Sequence, residues 1–192
     1  HKLDAGGNPI YEDTNGDGTI NDQDLYVDRN GDGQINQDDR AAYNSPAPDW
    51  IMGHTSLMRF KKFDFSFTLV ANIGNYVYNN VASANGVYAG VWELNSLRNA
   101  HSSVLETDFR EQQFWSDYYV QDASFLRMDN VALGYTFSNL NEGNTALRLY
   151  STVQNVFVVT PYKGLDPEIN GGIDNNFYPR PRTFLVGLNL NF

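Results

Sequence analysis

The sequence predicts an all-β fold in which about five long antiparallel strands form part of a transmembrane β-barrel, with long loops on one side. Three observations point there. Segments of roughly 10 to 14 residues alternate apolar and polar side chains, the length of tilted membrane strands. Connectors between them alternate short and long. No run approaches the ~18 apolar residues a spanning helix needs, and the mean hydropathy of −0.47 is too polar for a helical membrane protein, whereas strands may cross with every second residue polar.

Residues 1–49 read as an extracellular loop. Asp13, Asn15, Asp17, Asn21 and Asp24 place side-chain oxygens at positions 1, 3, 5, 9 and 12 of a calcium-loop pattern, with Gly18 at position 6 and Ile20 at position 8. Asp28, Asn30, Asp32, Asn36 and Asp39 repeat it fifteen residues on, around Gly33 and Ile35. Ca²⁺ takes six to eight hard oxygens, and this spacing wraps the chain around one ion, the carbonyls of Thr19 and Gln34 adding a ligand each. Only Leu25-Tyr26-Val27 separates the two loops, too little for an exiting and an entering helix, which argues against a helix-loop-helix switch. Asp rather than Glu at position 12 predicts structural sites of weak to moderate affinity. The alternative is an Asn/Gly/Asp-rich surface loop without metal.

Residues 50–192 read as the barrel strands and their loops. Trp50 to Phe60 and Phe63 to Gly74 flank Lys61-Lys62, a two-residue hairpin junction. Such closure pairs Phe60 with Phe63 and Met58 with Phe65, and turns both apolar rows to one face. Ser124 to Phe137 follows, with Val131, Leu133, Tyr135 and Phe137 opposite Asn130, Ala132, Gly134 and Thr136. Ala146 to Thr160 places Leu147, Leu149 and Val153 on one face and Arg148, Tyr150, Thr152 and Gln154 on the other. The last segment, Thr183 to Phe192, alternates Phe184, Val186, Leu188 and Leu190 with small and amide residues and ends on an aromatic, as outer-membrane barrels usually do. An edge strand of a soluble β-sandwich would satisfy those ten residues equally.

Phe60, Phe63, Tyr135, Phe137 and Phe192 gather near strand ends, as an interfacial girdle requires. The connectors are short at 61–62, long from Asn75 to about Ala123, short from Ser138 to Thr145, and long from Pro161 to Pro181. Outer-membrane barrels carry short turns on the periplasmic side and long loops outside. If Phe192 ends in the periplasm, both long connectors and the acidic block lie outside the cell. Five strands cannot close a barrel, whose minimum is about eight, so the chain reads as part of a longer protein. His1-Lys2-Leu3-Asp4 likewise shows no export signal.

The net charge of −10 is local: the first forty residues hold ten acidic against three basic side chains. That balance argues against a nucleic-acid partner, which calls for a basic stripe. Cysteine is absent, removing thiol nucleophiles and thiolate metal sites. His1, His54 and His101 show no paired ligand spacing, no nucleophile motif is present, and Asp166 with Glu168 has no supporting site for a glycosidase carboxylate pair. A catalytic reading is therefore set aside.

These segments resemble the carboxy-terminal part of SusC/RagA-type TonB-dependent outer-membrane transporters. The matching stretches, in family order, are Asp28 to Ile35, Phe60 to Ser66, Asp122 to Tyr135, Leu147 to Tyr150 with Gln154 to Phe157, Tyr162 to Glu168, Tyr178 to Phe184, and the terminal Phe192. The doubled calcium loop departs from the single repeat expected of the family. The resemblance implies a barrel of about 22 strands occluded by a plug, in the cell outer membrane and in contact with its lipid. It implies opening through TonB, a SusD-like surface lipoprotein as lid, and import of a glycan or peptide. In the connector from Asn75 to Ala123, Tyr88, Trp92, Trp115 and Tyr118 are candidate ligand or partner contacts, because amphipathic rings dominate binding surfaces; packing of the loop on the barrel rim is the competing role. His101 to Trp115 is predicted to hold a short helix. Asp166-Pro167-Glu168 and Tyr178-Pro179-Arg180 read as rigid turns, and Phe192 as an assembly signal. The rival from another class is a secreted, calcium-stabilised β-sandwich acting as a carbohydrate-binding or adhesion module; a siderophore or cobalamin receptor of the same fold is a nearer one.

Overall fold

The structure is a computed structural model that describes residues 5, 18, 26–34, 36–91, 99–107, 109–138, 145–175 and 178–191. The chain divides into two compact units, one of 47–75, 122–168 and 178–192, the other of 1–46, 76–121 and 169–177.

The first unit holds one five-stranded sheet in the order β1-β2-β5-β6-β7. Its strands are β1 (Trp50–Phe60), β2 (Phe63–Ile73), β5 (Phe125–Ser138), β6 (Ala146–Val159) and β7 (Thr183–Asn191), all neighbours antiparallel. Strand ends fall within one residue of those predicted, and Phe192 lies outside the described residues. The hairpin register is the expected one, Phe60 opposite Phe63 and Met58 opposite Phe65. Lys61 closes it at φ 54°, because a two-residue turn between right-twisted strands needs a left-handed residue.

Alternation alone did not foresee two irregularities. Asp129 has no partner in β2, where Thr68 faces Asn130 and Leu69 faces Met128. On the other side Met128 faces Phe157 and Asn130 faces Gln154, and Asn155 sits at φ 51°. A bulge inserts one residue and shifts the parity of the strand beyond it. Leu126 and Met128 therefore join Val131, Leu133 and Tyr135 on one face, and Phe125 and Arg127 join the other.

The first face is apolar across the sheet: Phe60, Phe63, Tyr135, Leu149 and Leu188 lie in successive strands of one row, aligned through the ladder, and Met58, Phe65 and Leu133 form the row beside it. It is uncovered, with Leu133 52% and Leu188 65% exposed. The only other ladder among the described residues is a three-residue pair, so no opposing sheet is available to make a sandwich.

The second face is polar. Asp64 and Arg148 meet across β5 with Arg148 Nε donating to Oδ1 at 2.9 Å and Nη2 to Oδ2 at 2.5 Å. They can do so because Gly134 lies between them; a Cβ there would come within 2.5 Å of the Asp64 carboxylate and 2.7 Å of the guanidinium. The Tyr150 ring, itself 4.9 Å beneath Arg148, lies over Gly187 in the same way.

The second unit carries the short pair β3 (Tyr76–Tyr78) and β4 (Val120–Asp122), and helices α1 (Asn80–Asn85) and α2 (Val104–Thr107). Its core is Ala82, Val87, Phe109 and Tyr119, with Tyr78 and Tyr118 packed against it. Asn79 caps α1, its side-chain oxygen accepting from Ala82 N at 2.9 Å. The predicted helix over 101–115 shrinks to α2. The Thr107 hydroxyl turns back onto the Ser103 carbonyl at 3.0 Å, Phe109 is fully buried, and Trp115 takes φ 56°, a conformation a right-handed helix excludes. Among the described residues no helix is long and apolar enough to cross a membrane, which says nothing of strands.

Candidate functional site

Three groups of residues invite a functional reading, and the acidic loop comes first. Asp28 opens it with Oδ1 accepting from Gly31 N at 2.7 Å and Oδ2 from Gly33 N at 2.8 Å. Asn30 and Asp32 make the same kind of turn, accepting from Asp32 N and Gln34 N at 2.9 and 2.7 Å. Asp39 closes the loop by accepting from Arg29 N and Asn36 N, both at 2.8 Å. Those two amides, Asn36 first and Arg29 next, hold the Asp39 carboxyl below its ordinary pKa.

Gly33 lies at φ 79° and Gly18, the matching position of the first repeat, at φ 83°, so both position-6 glycines adopt the conformation that only glycine takes freely. Asp28, Asp32 and Asp39 offer hard oxygens of the kind Ca²⁺ prefers, and each oxygen keeps a lone pair beyond the amide it accepts from. Among the described residues, no three His, Asp or Glu side chains converge as a metal cluster. Asp13, Asn15, Asp17, Thr19 and Asp24 of the first repeat lie outside the described residues.

The aromatic candidates separate in space. Trp115 is 60% exposed and stacks on Tyr78 with centroids 5.5 Å apart and planes 29° from parallel. Its left-handed backbone is held by Trp115 N donating to the Tyr78 hydroxyl at 3.1 Å, and that hydroxyl donates to Ser83 Oγ at 2.9 Å. Trp115 and Phe114 line a cleft of about 510 Å³ whose other wall is the acidic loop and its exit, from Tyr26 to Tyr43. Tyr118 instead faces the core, edge-on to Phe109 at 5.6 Å and Tyr119 at 5.1 Å. Burial there, with the Glu106 charge second, raises its phenol pKa. Tyr88 does not line the cleft, and Trp92 lies outside the described residues.

Alternation did not single out the third group. Arg127, 1% exposed, donates from Nη2 to Asp166 Oδ1 at 2.6 Å and lies 3.1 Å from Glu168 Oε2 through Nη1. Arg180 completes the ring, 2.8 Å from Glu168 and 3.7 Å from Asp166. Asp166 Oδ1 also accepts from Glu168 N at 2.9 Å, which closes the predicted Asp-Pro-Glu turn on itself. Its carboxylates neutralise a buried guanidinium that stacks 5.2 Å from the Phe125 ring. The missing signal was the bulge: without it, Arg127 falls on the apolar face.

Comparison with known proteins gives a consistent picture. No family model matches the chain. It is 44% identical to the TonB-dependent receptor SusC of Bacteroides thetaiotaomicron over 98% of its own length and 18% of that protein's. It is 32% identical to the TonB-dependent receptor P3 of Formosa agariphila over 80% of its length and 17% of that protein's. Among solved structures, the RagAB peptide transporter superposes with a TM-score of 0.69 and 25% identity over 83% of this chain and 19% of that one. The RagAB peptide importer in its closed-closed state gives 0.68 and 22% over 100% of this chain and 20% of that one. The chain thus spans about a fifth of the proteins it matches, and these are receptors and transporters, not enzymes.

Proposed function

Because the chain belongs to the SusC/RagA family of TonB-dependent receptors, we propose that it supplies part of the wall and outer loops of an outer-membrane importer. The cargo is an oligosaccharide or a peptide, the energy comes through TonB, and a SusD-like lipoprotein covers the mouth. The observation that carries this reading is the uncovered apolar face of an otherwise regular sheet. Hydrocarbon is the solvent that face fits; in water a patch of such extent is an association site. The opposite face, with its Asp64–Arg148 pair, suits a wet lumen.

The test uses the full-length protein. It should require detergent for extraction, copurify with a surface lipoprotein, and support uptake of oligosaccharide or peptide only in cells with TonB. A water-soluble, monomeric parent protein would return the β-sandwich module to first place. Under the same reading Phe192 is an assembly signal, and deleting it lowers the amount of folded barrel in the membrane.

For the acidic loop we propose structural Ca²⁺ binding, supported by the ligand spacing and by the shared geometry of Gly18 and Gly33. Asp28→Ala with Asp13→Ala should speed proteolysis of 1–49 as chelation does, leaving assembly intact. Cleavage unchanged by both would remove calcium from the account.

A further inference from the structure

We infer that the cleft between the acidic loop and the Phe114–Asp117 turn binds a neutral saccharide, with the Trp115 indole as the surface on which a sugar ring stacks. This rests on the import reading and narrows it to one site and one ligand class.

The cleft's volume of about 510 Å³ falls among small-molecule sites, which run ~300–1,000 Å³. Its construction is specific. One face of Trp115 is committed to Tyr78 at 5.5 Å, yet the residue stays 60% exposed, so the indole is a braced platform with a face left over. It is set there by a left-handed backbone, φ 56°, which a tryptophan adopts only when its surroundings over-determine it, and such residues cluster at functional sites. Phe114, 63% exposed, and Tyr43, 53% exposed, also line the cleft.

Asn36 and Gln37 line the same cleft, the Asn36 side-chain oxygen accepting from Asp38 N at 2.8 Å and its amide nitrogen remaining a donor. An apolar ring face beside amide donors and acceptors matches the two surfaces of a pyranose, C–H on its faces and hydroxyls on its rim. Charge selects within that class. The lining holds Arg29 and Arg40 against Asp39 and Asp117, a local balance of zero in a chain of net charge −10. An acidic sugar or a charged peptide terminus would find no surplus of the opposite sign.

The walls touch each other, and the acidic loop is tied within itself. The Tyr26 hydroxyl donates to the Phe114 carbonyl at 3.5 Å, and Asp39 ties Arg29 to Asn36. The acidic loop therefore forms one side of the binding site as well as a candidate metal loop.

The test is calorimetric titration of the full-length transporter in detergent with neutral hexasaccharides of glucose, mannose and fructose, and separately with hexapeptides. Trp115→Ala should weaken binding of the preferred hexasaccharide by about tenfold or more, the loss expected of a central aromatic anchor. Trp115→Phe should recover most of it, and Leu105→Ala, exposed and outside the cleft, should leave it unchanged. If Trp115→Ala does not assemble, Phe114→Ala and Gln37→Ala carry the same expectation. Hexasaccharide binding unaffected by all three variants overturns the cleft while leaving import of sugars in place. Binding of hexapeptides alone overturns it while leaving import of peptides in place. Failure of cells containing TonB to take up either class overturns the import reading and the cleft with it.

Discussion

Two residues show how a single position controls distant groups. Gly134 is required because Asp64 and Arg148, 84 positions apart in sequence, form their pair through the space a side chain would fill. Gly134→Val should separate them and strain the three central strands, destabilising the barrel by about 2–4 kcal/mol, read from urea unfolding of the full transporter in detergent. Arg127 stands in the opposite situation, buried and held by two carboxylates. Arg127→Met leaves Asp166 facing Glu168 with only Arg180 between them. Removing one partner of a buried pair costs about 3–5 kcal/mol, and protease cleavage within 161–182 should accelerate accordingly. Arg127→Lys should rescue little, since a single ammonium cannot replace a fork that reaches both carboxylates.

At the scale of elements, the Asp129 bulge decides which side chains of β5 face which way. Deleting Asp129 should restore simple alternation and turn Arg127 outward with Leu126 and Met128 inward. An arginine on a lipid face costs about 2–4 kcal/mol near the midplane, and the variant should lose the heat-modifiable mobility of a folded barrel. The acidic loop is held by a different device, carboxylates accepting from backbone amides. Asp39 has its pKa lowered by Asn36 N–H and then Arg29 N–H, so its contribution is present above the ordinary carboxylate pKa of about 3.9 and is lost as pH falls through the lower folded value. Exchange of the Arg29 and Asn36 amides, normalised for intrinsic rates, should therefore rise below about pH 4 and stay flat from there to neutrality.

At the scale of the whole molecule, the two faces of the sheet suit different solvents. Leu133→Arg, on the uncovered apolar face, should block membrane assembly, whereas Thr152→Arg, on the polar face, should be accepted with assembly unchanged. Quantifying folded protein in isolated outer membranes checks both. Equal tolerance at the two positions would contradict a lipid-facing row.

Much of this was legible in the chain. A side-chain period of two is a local property, so alternation located the five strands, the 61–62 hairpin and its register, and the order of short and long connectors. Oxygen spacing marked the loop from Asp28 to Asp39 for the same reason, because its hydrogen bonds span at most ten residues. What only the tertiary structure decided are contacts between segments far apart: the bulge at Asp129, the burial of Arg127 against Asp166 and Glu168, and the pairing across Gly134. The same holds for Trp115 separating from Tyr118, one lining a cleft and the other packed against the core. Which neighbour a side chain meets across a sheet, or from a loop dozens of residues away, depends on parity and packing summed over several elements, and no local pattern carries that sum.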